Sequence, residues 1–266
     1  MGVLTTTVSA QQQPRKLDPV SSARGIVNRA TEPLRAAVEV GAFGVSYGAL
    51  VALPAAGDGH PVLVLPGFAT SDLYTCSLRA YLSTLGYAAK PWRLGRNLGR
   101  PTTLGQVQQR LSELHRRIKQ PISIIGHSLG GVYARELARS HPSWVRQVIT
   151  LGSPFALDPS KATSPTLARL YRRLQLSDQR LDPPPVPTTA IYSKQDGVVD
   201  WRSCLEAPSH QTENLEVTSS HLGMTVHPSV LYILANRLAQ PQEGWRKFRQ
   251  PGSAHERWYA TAAREL

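Results

Sequence analysis

From His60 onward the chain alternates short apolar runs with longer stretches whose apolar residues recur every three or four positions. The runs "PVLVLPGF", "AAKPWRL", "PISIIGHS", "VRQVITLGSPF", "TTAIYS" and "LEVTSS" are short, aliphatic and bounded by Gly, Pro or Ser, as buried strands are. Between them, "CSLRAYLSTLGY" reads as a helix closed near Gly86, and "LGGVYARELARSH" as a second. "TLGQVQQRLSELHRRIKQ" puts Val107, Leu111 and Leu114 on one helical face and Arg and Gln on the other. "HPSVLYILANRLAQ" is a final helix with Pro228 at its start. Strand alternating with helix predicts an α/β fold, a mostly parallel sheet with helices on both faces. No internal repeat is visible.

Two stretches depart from this rhythm. Residues 1 to about 30 are polar and rich in Gln, Ser and Thr, a loose leader. A helical stretch follows from about Pro33 to Leu50. No residue from Val40 to Gly57 is charged, and these 18 residues just reach the length of a membrane span. Gly41, Gly44, Gly48 and Pro54 interrupt them, so a buried or surface-docked helix feeding the first strand is the expectation. Residues 156 to about 187 form a connection much longer than usual. Its middle is helical and basic through Arg169, Arg172 and Arg173, and its end is proline-rich. It reads as a cap or lid inserted over the sheet. The expected division is residues 1–55 as leader and apolar helix, 56–250 as catalytic domain with the lid at about 156–187, and 251–266 as a tail.

A chain of 266 residues with 41% hydrophobic and 18% charged residues suits one globular domain. The net charge of +12 raises the question of an anionic partner. Its basic residues are scattered over several helices without an interleaved aromatic motif, so nucleic acid is not expected. Peripheral contact with an anionic membrane fits better, beside the plainer alternative of an inert basic surface. The two cysteines, Cys76 and Cys204, lack zinc-site spacing; reduced thiols are expected, with a single disulfide left open. The N-terminus has no secretory pattern, which points to a cytoplasmic location, with membrane association open. No phosphate loop, dinucleotide fingerprint or metal cluster appears, so no cofactor and no metal are expected.

The stretch "SIIGHSLGGVYARELA" carries the candidate chemistry. It places Ser128 between a strand end and a helix start, with Gly126 and Gly130 on either side. On such a turn a serine is held in a strained conformation with its oxygen above the sheet and near a helix N-terminus. A serine needs a base, and the base an orienting acid. Asp196 follows "TTAIYS" and His221 follows "LEVTSS", both just past strand ends, where sites form in open parallel sheets. Asp200 is the rival acid and His227 the rival base, though Asp200 leads into the next helix and His227 precedes Pro228. His127 belongs to the turn itself and reads as a packing or orienting residue. The backbone N–H of Leu129 and that of Phe68, after Gly67 in "LPGF", are the candidate oxyanion donors.

The set "VLVLPGF", "GHSLGG", "VITLGSPF", "SKQDGVV" and "SSHLGM" resembles the α/β-hydrolase superfamily, in its bacterial lipase/esterase-like branch. The resemblance spans roughly residues 60 to 240 with its motifs in the family order. It implies a Ser128–His221–Asp196 triad, an acyl-enzyme intermediate and no cofactor. The chain departs from many such lipases in having Pro66-Gly67 where they carry His-Gly. "RLGRNLGRP" also looks like a feature of this branch; Arg96, Asn97 and Arg100 there either shape the loop or bind an anionic group. The expected function is hydrolysis of carboxylic esters, with an ester or lipid as substrate. An acyltransferase with an alcohol or amine acceptor is the alternative, and a non-catalytic binding protein a third reading.

Overall fold

Strand β1 (Pro61–Leu65) is buried along its whole length, and its alternate side chains serve two different cores. Leu63 and Leu65 join one cluster and Val62 and Val64 the other. A strand buried on both faces needs apolar residues at every position, which is why this one reads as a continuous run rather than an alternating one.

The computed structural model describes residues 19–52, 56–157, 165–174 and 181–248. The other strands are β2 (Ala88–Pro91), β3 (Ile122–His127), β4 (Val145–Leu151), β5 (Thr188–Tyr192) and β6 (Thr212–Glu216). The helices are α1 (Pro19–Ala52), α2 (Cys76–Thr84), α3 (Thr103–Ile118), α4 (Leu129–Ser140), α5 (Pro165–Arg173) and α6 (Pro228–Leu238). The strands form one all-parallel sheet in the order β2-β1-β3-β4-β5-β6. Helices α3 and α4 cover one face with Leu111 and Val132, joined by Trp92 from the segment after β2 and by Leu170 of α5. Helices α1, α2 and α6 cover the other with Leu50, Tyr81 and Leu234.

The chain moves outward from β1 to β2 and then returns to β3 on the far side of β1. The loops leaving β1 and β3 therefore part at their carboxyl ends, and this divergence is where open α/β sheets make room for a ligand.

Two expectations need correction. The helix expected from Pro33 begins at Pro19 and runs straight through Pro33. Residues 19–30, read as leader, are helical, and Asn28 and Arg29 donate to the Lys194 and Gly197 carbonyls, tertiary contacts that composition does not display. The strand expected at "LEVTSS" lies earlier, at Thr212–Glu216, and Val217–Ser220 lead from it toward His221. Within α1 the stretch Gly25–Ala52 is long and apolar enough to cross a membrane by length and composition. Here it lies along the domain, with Leu50 wholly buried and Phe43, Tyr47 and Val51 packed on the second core. Cys76 is an exposed free thiol and Cys204 a buried one. Residues 1–18, 53–55, 158–164, 175–180 and 249–266 lie outside the described residues.

Candidate active site

Ser128 sits between the last residue of β3 and the first of α4 with φ 51° and ψ −121°. A side-chain-bearing residue adopts this geometry only where its surroundings impose it. The Ser128 N–H donates to the Leu151 carbonyl at 2.8 Å, which anchors the turn to β4. The flanking glycines are steric requirements. A Cβ at Gly126 would fall 2.3 Å from the backbone of Gly131, and one at Gly130 would fall 2.3 Å from the Leu65 carbonyl oxygen. Either would drive α4 off the strands.

The loop after β5 brings Asp196 to the ring of His221, with Oδ2 accepting from Nδ1 at 2.6 Å. The second carboxylate oxygen accepts from the N–H groups of Val198 and Val199, both at 2.8 Å. Burial disfavours the His221 imidazolium, but the charge and hydrogen bond of Asp196, with the more distant charge of Glu32, outweigh it and hold the pKa above 6.5. With Nδ1 as donor, Nε2 carries the lone pair. Among the described residues neither His221 Nε2 nor Ser128 Oγ has a hydrogen-bond partner, so both are available to a reactant.

The rivals are accounted for. Asp200 caps the 3-10 turn Trp201–Cys204 through the Arg202 N–H and pairs with Arg202 on the surface. His227 caps α6, its Nδ1 accepting from the Ser229 N–H. Burial lowers its pKa to about 4.

His127 is an orienting residue by its contacts. Its Nε2 donates to the His221 backbone carbonyl at 2.9 Å, and the two rings lie 4.8 Å apart. Burial, aided by the His221 charge, lowers its pKa to about 3, so it is neutral. Tyr74, from the loop between β1 and α2, adds a second hold on this segment by donating to the Leu222 carbonyl at 2.7 Å.

The loop after β1 packs directly on the turn. A Cβ at Gly67 would lie 2.8 Å from His127 Nδ1 and 3.1 Å from Ser128 Cβ. The N–H groups of Phe68 and Leu129 have no acceptor among the described residues, the latter being the first N–H of α4. Asn97, fully buried, braces this loop. Its Nδ2 donates to the Pro66 carbonyl at 2.8 Å, its carbonyl accepts from the Ala69 N–H at 2.7 Å, and its N–H donates to the Thr70 carbonyl at 2.8 Å. Of the rim residues singled out in the sequence, Asn97 is thus a shaper of the loop, while Arg96 and Arg100 are exposed beside a cavity of about 290 Å³.

Helix α5 is the described helix of the long excursion. Leu170, Tyr171 and Leu174 are buried, and Leu170 packs where a Cβ on Gly99 would be, next to Leu129. The expected cap helix therefore rests on the rim loop above α4.

Sequence reasoning missed Glu32 and Glu39, two buried carboxylates of α1 that reach the loops bearing Asp196 and His221. Their signal was present: two acids seven residues apart share one helical face, the second at the edge of the uncharged run that begins at Val40. It also missed the buried pair Arg135–Glu206, bidentate at 2.6 Å and stacked on Phe155, which ties α4 to the segment before β6.

Comparison with known proteins places this geometry in context. A family model described as a PGAP1-like alpha/beta domain matches residues 102–213, which include Ser128 and Asp196 but stop before His221. Comparison with curated proteins gives no match. Among solved structures, a monoacylglycerol lipase from Paleococcus ferrophilus is 12% identical with a TM-score of 0.52, covering 69% of this chain and 96% of its own. Lipase B from Aspergillus fumigatus is 17% identical with a TM-score of 0.59, covering 80% of this chain and 58% of its own. A 2,6-dihydroxy-pseudo-oxynicotine hydrolase is 20% identical with a TM-score of 0.51, covering 70% of this chain and 61% of its own. At these identities the likeness is one of fold, and that fold is shared with lipases and other hydrolases.

Proposed function

We propose that this protein, whose fold is that of the α/β hydrolases, cleaves carboxylic esters through a Ser128–His221–Asp196 triad. The observation that carries the reading is the strained Ser128 turn, whose neighbour His127 packs its ring 4.8 Å from that of a buried His221 whose Nδ1 is held by Asp196 at 2.6 Å. Ser128 Oγ attacks the ester carbonyl while His221 Nε2 takes its proton. The negative oxygen of the tetrahedral intermediate meets the N–H groups of Phe68 and Leu129, with the N-terminus of α4 adding a favourable dipole. The imidazolium, steadied by Asp196, returns the proton to the leaving alcohol. Water, activated by the same imidazole, then frees the acid from Ser128.

The surface supports a greasy substrate. Apart from Leu181, whose neighbour Asp182 meets Arg135 and Arg139 toward the far end of α4, every exposed large apolar side chain among the described residues lies on α1 or in the connections at the carboxyl ends of the strands. Phe68, Leu73, Leu98, Val198 and Leu222 follow strands at their carboxyl ends, Leu181 belongs to the excursion between β4 and β5, and Ile26, Val27, Leu34, Val38, Val40 and Val45 lie on α1. An apolar rim of this kind on a chain of net charge +12 suits an anionic lipid surface with the mouth turned toward it. The substrate is then an ester with a long apolar group, drawn from that surface.

The test is labelling with a serine-reactive fluorophosphonate and turnover of a chain-length series of nitrophenyl esters, comparing wild type with Ser128→Ala. The expected result is labelling and turnover in wild type only, rising with acyl length. Equal labelling of both proteins would remove Ser128 as the nucleophile, and acyl transfer to an added alcohol in preference to water would make the enzyme a transferase.

A further inference from the structure

Helix α1 turns its polarity inside out. Its exposed side is apolar, while Glu32 and Glu39 point into the domain and are nearly inaccessible. Glu32 Oε2 accepts from the Gly197 N–H at 3.0 Å, and Oε1 accepts from the Leu222 N–H at 2.9 Å. Gly197 directly follows Asp196, and Leu222 directly follows His221. One carboxylate therefore bridges the neighbours of both residues. Arg35, one turn on, donates to Glu32 at 2.7 Å and balances its charge. Glu39 repeats the arrangement, its two oxygens taking the Ser220 N–H at 2.6 Å and the Ser220 hydroxyl at 2.7 Å.

The loops are built to receive these groups. A Cβ at Gly197 would lie 2.6 Å from the Asn28 carbonyl and 2.7 Å from Glu32 Oε2, and one at Gly223 would enter the Glu39 carboxylate. A buried carboxylate is tolerated only when its lone pairs are taken up, and here backbone N–H groups of the site do so. The main-chain groups concerned are peptide donors with no strand partner, so without α1 they would face water or each other.

We propose that Glu32 is a positioning residue that ties the Asp196 loop to the His221 loop, making α1 a working part of the active site. Glu32 touches no reactant. It fixes the separation of acid and base by holding the residue after each. It also adds a negative charge facing His221, alongside Asp196 from the β5 loop, neutral His127 from β3 and Tyr74 from the loop after β1.

The inference rests on the ester-hydrolase reading for the role of His221, and a readout independent of turnover separates the two. Wild type, Glu32→Gln, Glu32→Asp and Leu50→Ala are compared by NMR titration of the His221 ring and by nitrophenyl ester kinetics. Leu50 anchors the far end of α1 and serves as a control for loosened docking. A glutamine accepts at one oxygen but opposes a donor to the second N–H, and an aspartate is too short to span both. The expected result is a His221 pKa lower by about half a unit or more in Glu32→Gln. Both Glu32 variants lose kcat by about tenfold to a hundredfold with KM little changed. Leu50→Ala leaves the titration where it is in wild type. An unchanged His221 titration in Glu32→Gln, or kcat losses no larger than that of Leu50→Ala, would reduce Glu32 to helix docking and overturn the inference. An absence of ester turnover in wild type would instead count against the function.

Discussion

His127 donates its Nε2 proton to the main-chain carbonyl of His221 at 2.9 Å, so the residue just before the nucleophile turn carries the backbone of the proposed base. Replacing it with Phe keeps a ring in the site and removes the donor. The buried His221 carbonyl then goes unpaired, which costs about 1–3 kcal/mol of stability. The expected kinetic result is a fall in kcat of about tenfold, with KM little changed, in steady-state assays on a short ester. Wild-type kcat in a folded His127→Phe protein would show that the base keeps its place without this bond.

Asp196 fixes which nitrogen of His221 is free. In Asp196→Asn the side-chain oxygen would keep the Val198 and Val199 N–H groups, and its NH₂ would face His221 Nδ1. That makes Nδ1 the acceptor and puts the proton on Nε2, the wrong nitrogen for a base. A loss of about 10⁴-fold in kcat is expected. In wild type, kcat/KM should rise with pH through a pKa above 6.5, because the neutral ring is the active form and the folded protein favours the charged one. A pH–rate profile already flat below 6.5 would contradict the arrangement.

Two neutral, buried histidines set the acid stability. His227 is lowered to about 4 and His127 to about 3, both chiefly by burial. The unfolded chain binds their protons below about 6.5 while the folded protein does not, so stability falls as pH drops through that window, by about 1.4 kcal/mol per unit for each group. The raised pKa of His221 works in the opposite sense at higher pH. His227→Asn keeps an acceptor for the Ser229 N–H and removes one titrating group. Denaturant unfolding between pH 6 and 4.5 should show a slope shallower by about one proton, and an identical slope would mean that His227 does not stay neutral.

Asn97 supports the proposed oxyanion donor from behind. Asn97→Ala strips the Pro66 carbonyl of its partner and frees the loop that carries Phe68. Stability should fall by about 2 kcal/mol and kcat by roughly tenfold, with little change in KM, because the donor acts on the transition state. A larger effect on KM than on kcat would point to substrate binding instead.

The apolar rim makes a prediction about surfaces. Vesicles rich in phosphatidylglycerol should sediment the protein, neutral phosphatidylcholine vesicles less so, and added salt should weaken the difference. Val38→Glu with Val45→Glu, on the exposed side of α1, should reduce binding at least about tenfold while leaving hydrolysis of a short soluble ester unchanged. Binding insensitive to both the charges and the salt would refute the surface assigned here.

The centre of the sheet was legible because β1, β3 and β4 are buried on both faces, which forces unbroken aliphatic runs such as "VLVL" and "SII". The turn at Ser128 was legible because Gly126 and Gly130 are imposed by backbone contacts that admit no side chain. Asp196 was readable because it closely follows the end of β5, whereas His221 was read from a strand that is expected to run to Ser220 and in fact ends at Glu216. What the sequence concealed is long-range and polar. Glu32 meets Gly197 across 165 positions and Leu222 across 190, so two acids on one face of α1 mark a buried face without naming its partners. Asn97 has the same character, since its value lies in a carbonyl 31 residues away. The start of α1 was misjudged for a related reason. Asn28 and Arg29 are polar residues whose partners are the Lys194 and Gly197 carbonyls, and polarity read in isolation looks like solvent.

The inverted helix has a consequence for how the protein would fail. An amphiphile that wets the apolar side of α1 competes for the whole helix, because the same helix carries Glu32 and Glu39 on its underside. Detaching it would release the two site loops while leaving six parallel strands and α2 to α6 in place. Inactivation by detergent should therefore precede unfolding, with α1 acting as a fuse between the protein's surroundings and its chemistry.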